Sequence, residues 1–221
     1  MKHIVKGAEP AELSAWKQGQ TAAGLDPAWG DFQNPQKRDC RSLLLREQGA
    51  ICCYCMAAIA MSSMHVEHLE PRASRPELAL AWSNLLGCCA PRNRKGSKLE
   101  TQSHCGEYRG TRSLAITPLQ PDCETRFSYD FTGQIHPAHS TDTAARETIA
   151  NLNLNAESLR DNREKMIREA YGQLGNLAED LWLRTYVDER EGAFPEFAAM
   201  FGWFFHTRWQ REVQADADAA I

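Results

Sequence analysis

Six of the eight cysteines fall in one stretch: Cys52, Cys53 and Cys55, then Cys88 and Cys89, then Cys105. Cys40 and Cys123 stand outside these clusters. His65, His68 and His104 lie in the same stretch, and thiols gathered with imidazoles favour metal chemistry over cross-linking. The opening Met1-Lys2-His3-Ile4-Val5-Lys6 has no apolar signal segment, and no run of about 20 apolar residues predicts a membrane span. A cytoplasmic protein is expected, and structural disulfides are rare in that compartment.

Zinc takes four ligands at tetrahedral corners, and short hairpin knuckles supply them. Cys52-x-x-Cys55 has knuckle spacing. No second C-x-x-C exists, so Cys88 or Cys89 must be joined by Cys105 across residues 90–104. The plainer alternative is a group of buried thiols packing as small hydrophobes. A third reading makes Cys52, Cys53 and Cys55 reactive redox-sensing thiols.

Around this stretch the pattern is helical. In residues 1–48 a short helix is expected over Ala11 to Gln18. A second opens with Asn34 as N-cap and Pro35 at its first position, presents Leu43, Leu44 and Leu45, and stops at Gly49. Residues 49–125 lose periodicity: Met64 to Leu69 reads as a strand stopped by Pro71, and Ala90 to His104 as a basic loop. Residues 126–221 begin with a strand-like Phe127 to Phe131 and turn helical from Thr141 and Asp142, with a break at Leu152-Asn153-Leu154-Asn155. Phe194, Phe197, Phe201, Phe204, Phe205 and Trp209 then recur at helical spacing, as core or as a partner interface. The fold class predicted is α+β, mainly helical, with three segments at 1–48, 49–125 and 126–221.

The formal net charge of −4 gives no global basic field, so any nucleic-acid contact must come from local clusters such as Arg92 to Lys98. The sharpest chemical signal is Val66-Glu67-His68-Leu69-Glu70-Pro71-Arg72. Phosphodiester hydrolysis needs a base for water and a cation to absorb charge on the phosphate. Glu67 and His68 supply both if strand curvature brings them to one pocket, with histidine suited to the base role near neutral pH. His65 lies two residues before Glu67 and so faces the same side.

The order Cys-x-x-Cys, Glu-His-Leu-x-Pro, Asn-Leu, Cys and Cys-x-x-x-Arg-Gly resembles the HNH (ββα-metal) endonuclease superfamily. More narrowly, the chain resembles the HNH proteins of retron and Septu antiphage systems, often encoded beside an ATPase. Met1 to Gly7, Ile51 to Cys55, Asn84-Leu-Leu-Gly-Cys-Cys89, His104-Cys-Gly106 and Leu152 to Asn155 carry that likeness over about the first 160 residues. It implies a central zinc-braced ββα module with His68 as general base, Glu67 as ligand of a catalytic Mg²⁺ or Mn²⁺, and Asn84 bracing the loop. It also implies a structural zinc on Cys52, Cys55, Cys89 and Cys105, leaving Cys53 and Cys88 as spares. Gly106 stands where the family usually has a further cation ligand; His104 or Asn93 could substitute. Arg72, Arg92, Arg94, Lys95 and Arg109 become candidate phosphate contacts.

The expected function is hydrolysis of nucleic-acid phosphodiester bonds as the effector of an antiphage system, with an ATPase partner. The alternative from another class is a catalytically decayed, zinc-stabilised nucleic-acid or protein binding module, which Gly106 favours.

Overall fold

The chain alternates short helices with two small antiparallel sheets, and the cysteine-rich stretch lies at their centre. The computed structural model describes residues 1–90, 103–173 and 176–209. Two helices come first, α1 (Ala11–Ala22) and α2 (Gln36–Glu47). Strands β1 (Met64–His68) and β2 (Leu85–Cys89) pair antiparallel, and the five-residue helix α3 (Cys105–Arg109) follows them. A second hairpin, β3 (Phe127–Tyr129) and β4 (Ile135–Pro137), leads into α4 (Thr143–Asn151) and α5 (Glu157–Gly172). Helices α6 (Glu179–Tyr186) and α7 (Ala198–Phe204) end in a π-type turn at Phe205–Trp209. Among the described residues no helix is long and apolar enough to cross a membrane.

Local chemistry accounts for several boundaries. Asp142 caps α4 by accepting from the Ala145 amide at 2.9 Å, as its position before the helical run predicts. Helix α2 buries Cys40 and Leu44, four residues apart on one face. It stops at Gly49, where φ is +59° and a Cβ would strike the Phe194 ring, so only glycine suits both demands. The helix starts one residue later than expected: Pro35 is its N-cap, and Asn34 makes no side-chain cap. Helix α1 runs longer than expected, to Ala22.

Two further differences concern the C-terminal part. Strand β4 was not expected; its Ile135 amide and carbonyl are engaged by the Asn155 side chain at 2.9 Å each, long-range pairing that periodicity does not report. The aromatic stripe is not one helix. Phe194 and Phe197 precede α7, with Phe197 left-handed at φ +59°. Phe197, Phe201 and Phe205 are core residues in this arrangement.

The three segments share one continuous hydrophobic core. Leu13 and Leu44 from the first, Ile51 and Leu86 from the second, and Phe127, Leu152 and Phe201 from the third belong to a single buried cluster. The central hairpin and its thiols are therefore held from both flanks.

Candidate metal centre and histidine face

The thiol cluster is assembled by two backbone devices. Residues 52–57 form a tight turn: the Cys52 amide donates to Ala57 O at 2.9 Å and the Met56 amide to Cys52 O at 3.1 Å. This turn is tied to β2 where the Cys53 amide donates to Gly87 O at 3.0 Å. The buried Gln48 side chain also clamps Gly87, accepting from its amide at 2.6 Å and donating to its carbonyl at 2.8 Å. The second device is Cys105, which opens α3 in the left-handed region at φ +59° while its amide donates to Leu152 O at 2.8 Å. A non-glycine residue in that conformation is strained. Here it delivers a sulfur to the cluster.

Cys52, Cys55, Cys89 and Cys105 bring their four sulfurs within 4.8 Å of one another. Cys52 to Cys105 and Cys55 to Cys89 are each 3.9 Å apart. Four thiolates around a tetrahedral zinc, with Zn–S near 2.3 Å, stand about 3.8 Å apart, so this set fits the ion. The Cys89 amide also donates to Cys52 Sγ at 3.4 Å, a contact that favours a thiolate there. Burial opposes ionisation of Cys52, yet thiols of Cys105, Cys53, Cys55 and Cys88 around its sulfur hold it well below the usual thiol range. Burial pushes Cys53, Cys88 and Cys105 well above that range. One thiolate can be sheltered by neighbouring thiols, but four require a cation. The cluster can thus hold a metal ion such as zinc.

Cys53 and Cys88 are buried beside this set and, with Cys52, make a second close group of three. Cys88 Sγ lies 3.8 Å from Cys52 Sγ, but it is Cys89 that completes the four-sulfur set. His104, expected as a cation ligand, has its Nδ1 3.2 Å from Cys105 Sγ and 3.8 Å from Cys89 Sγ. Its ring rests against the cysteines.

Glu67 and His68 part company. Successive strand residues face opposite sides, and Glu67 turns toward α3. There its Oε1 accepts from Arg109 Nη1 at 2.8 Å and from the Tyr54 hydroxyl at 3.1 Å. Its Oε2 lies 3.3 Å from His65 Nε2. The potential ligands grouped with Glu67 are His65 and Cys88. The carboxylate fills the space beside Gly106: a Cβ there would lie 2.8 Å from Glu67 Cδ and closer still to Oε2. The residue that cannot ligate a cation is the one that makes room for this carboxylate.

Arg109 corrects one expectation. Its side chain is fully buried, and it bolts the module instead of reaching for phosphate. Besides Glu67 it donates to Tyr54 Oη at 2.7 Å, Leu69 O at 2.6 Å and Arg112 O at 2.7 Å. Every donor so used is lost to an external anion. Neither Arg109 nor Tyr54 was legible as its partner from spacing, although Tyr54 stands between two cysteines of the knuckle.

His68 closes β1 on the other face. Its Nε2 is 3.0 Å from Ala79 O, and its ring meets Trp29 edge-on, with centroids 4.5 Å apart. A carbonyl only accepts, so Nε2 carries the hydrogen and Nδ1 keeps a lone pair. Burial, helped by Arg72 and Lys37, lowers its pKa to about 4 against the opposing pull of the Ala79 carbonyl. The imidazole is therefore neutral at pH 7. Asn84 holds the loop that presents Ala79: its Oδ1 accepts from the Glu70 amide at 2.6 Å, and its Nδ2 donates to Glu70 O and Leu78 O, both at 3.1 Å. Asn84 acts on His68 through that loop.

Arg72 is exposed beside Trp29. Arg92, Asn93, Arg94, Lys95 and Lys98 lie outside the described residues. No family model matches the chain, and no curated protein matches it.

Proposed function

We propose that the chain is a metal-dependent nuclease of the HNH type, hydrolysing nucleic-acid phosphodiester bonds with His68 as general base. The observation that carries this reading is the placement of His68, which is fixed in one tautomer by Ala79 and set at the end of a hairpin whose following helix begins in the thiol cluster. Nδ1 is then the atom that takes a proton from the attacking water, while the bond from phosphorus to the leaving sugar oxygen breaks.

Zinc on Cys52, Cys55, Cys89 and Cys105 would supply structure: thiolate bonds joining the knuckle, β2 and α3. The catalytic Mg²⁺ or Mn²⁺ is less well served. Glu67 is already ion-paired, and its companions His65 and Cys88 bring nitrogen and sulfur, whereas Mg²⁺ takes oxygen ligands in octahedral array. These residues do not fit the ion, and cation dependence rests on the family resemblance.

A second reading, a zinc-stabilised binding module without catalysis, is favoured by that same Glu67–Arg109 pair and by Gly106. Cleavage of plasmid DNA and total tRNA, with and without Mg²⁺ or Mn²⁺, separates the two. The nuclease reading expects His68→Ala to lose about 10²- to 10⁴-fold in rate while keeping its zinc and a cooperative unfolding transition. Equal cleavage by both proteins removes His68 from its role. Binding without cleavage by either supports the second reading.

On the resemblance alone we also place the protein as an antiphage effector working with an ATPase encoded beside it. Co-expression and co-purification test that; an ATPase that elutes apart from it sinks the pairing.

A further inference from the structure

We propose that Trp29, Lys37 and Arg72 form a phosphate-holding platform beside His68, so that the N-terminal loop and α2 grip the nucleic-acid backbone next to the reacting bond. The choice of a nucleic-acid ligand rests on the nuclease reading; the anion site itself rests on geometry.

Trp29 lies in the Pro/Gly/Asp-rich loop between α1 and α2, far in sequence from the strands. Its ring nevertheless meets three groups from three elements. His68 contacts it at 4.5 Å between centroids, Lys37 Nζ from α2 stands 4.5 Å from its centre, and Arg72 Cζ, just past β1, stands 5.9 Å away. Aromatic faces attract cations, but that attraction does not explain why two cations share one ring. Like charges brought together repel unless an anion lies between them.

No such anion comes from the protein. Among the described residues, no carboxylate lies within ion-pair distance of Lys37 or Arg72. Arg41, the other cation nearby, is turned inward and donates to the Met61 carbonyl and to Met64 O. Burial, and then Arg72 and Arg41, push the Lys37 ammonium below its usual range, in keeping with an unneutralised positive site. The pair stands on the ring that His68 also meets, on the side of β1 away from Glu67.

A backbone phosphate supplies the missing charge. Lys37 gives it a point charge and Arg72 a planar fork suited to two phosphate oxygens. Trp29 holds both cations in place. Because the chain as a whole is acidic, a platform of this kind sets where on its surface nucleic acid can rest.

The experiment is binding of short fluorescein-labelled DNA and RNA oligonucleotides, read by anisotropy across a salt series without added divalent cation. The intact chain is compared with Lys37→Ala/Arg72→Ala, with the single Lys37→Gln and Arg72→Gln variants, and with Lys165→Ala/Arg184→Ala. The last removes the same charge from exposed helix positions elsewhere. The platform pair should weaken binding at least about tenfold and flatten the slope of log K against log salt by about one, for the one phosphate it holds. The singles should lie between, and the remote pair should stay near the intact chain.

Platform and remote pairs that behave alike, or an intact chain that binds neither oligonucleotide, overturn the proposal. Cleavage lost in His68→Ala with binding unchanged in the platform pair would leave the nuclease standing and the platform fallen. Binding lost in the platform pair of a chain that cleaves nothing would do the reverse.

Discussion

The two faces of β1 put neighbouring residues to opposite uses. On one face Glu67 is sealed: Arg109 and Tyr54 occupy its Oε1, Gly106 packs against it, and it is about 9% exposed. On the other His68 is half-buried, with one nitrogen tied to Ala79, an aromatic wall at Trp29 and two cations, Lys37 and Arg72, on that wall. An acid and an imidazole side by side in sequence look like one catalytic pair. The strand pleat makes them two separate devices, a bolt at Glu67 and, on the proposed reading, a base at His68. Substitutions that strike one face should therefore move stability, and those that strike the other should move chemistry and binding.

The largest effect that would break this division is at Arg109. Arg109→Ala leaves the Glu67 carboxylate buried without its cation, and breaking a buried pair from one side costs about 3–5 kcal/mol. Urea unfolding followed by circular dichroism measures it. Glu67→Leu combined with Arg109→Met should recover most of the loss, since apolar replacement of both partners removes the desolvated charges together. A loss from Arg109→Ala below about 1 kcal/mol, the range of exposed pairs, would mean that this face is open to solvent and that Glu67 is free for other work.

A smaller effect is expected at Gly106. An added methyl must displace Glu67 from Arg109, Tyr54 and His65 at once, an overpacking cost of about 1–3 kcal/mol. The Glu67→Ala/Gly106→Ala pair should be less than additive, because the clash disappears with the side chain it strikes. Strict additivity in the unfolding data would show that the two residues do not meet.

What could be read in advance divides along the same line. Cys52 and Cys55 were legible because knuckle spacing carries its own geometry, Cys89 over Cys88 only through the resemblance, and strand β1 because Pro71 stops it. Asn84 was legible only through the resemblance; its work in the fold, gripping both sides of Glu70, depends on a turn with no sequence signature. Arg109 was misread because an arginine near basic residues looks solvent-facing, and only the fold shows it threaded between Tyr54 and the end of β1. Trp29 and Lys37 were invisible as site residues. Trp29 meets His68 and Lys37 reaches it through Trp29, closures between positions far apart in sequence that neither composition nor periodicity records.

The smallest effect sharpens the open face through its pH dependence. In the unfolded chain His68 titrates near 6.5, and in the fold burial brings it down to about 4. Between those values the unfolded chain binds a proton that the folded chain refuses. Its contribution to stability is thus fully present above pH 6.5 and is lost as pH falls toward 4. Taken whole, such a shift would amount to several kcal/mol; the ring is only half-buried, and with solvent screening about 1 kcal/mol is expected. His68→Gln keeps a side chain able to donate to Ala79 and removes the titration, so its unfolding free energy should fall less than that of the intact chain over this interval. Zinc release at acid pH acts on both proteins, which makes the difference between the two curves the quantity to read. Parallel curves would mean that His68 titrates in the fold as a free imidazole does, and the open face would then lose the neutral base assigned to it.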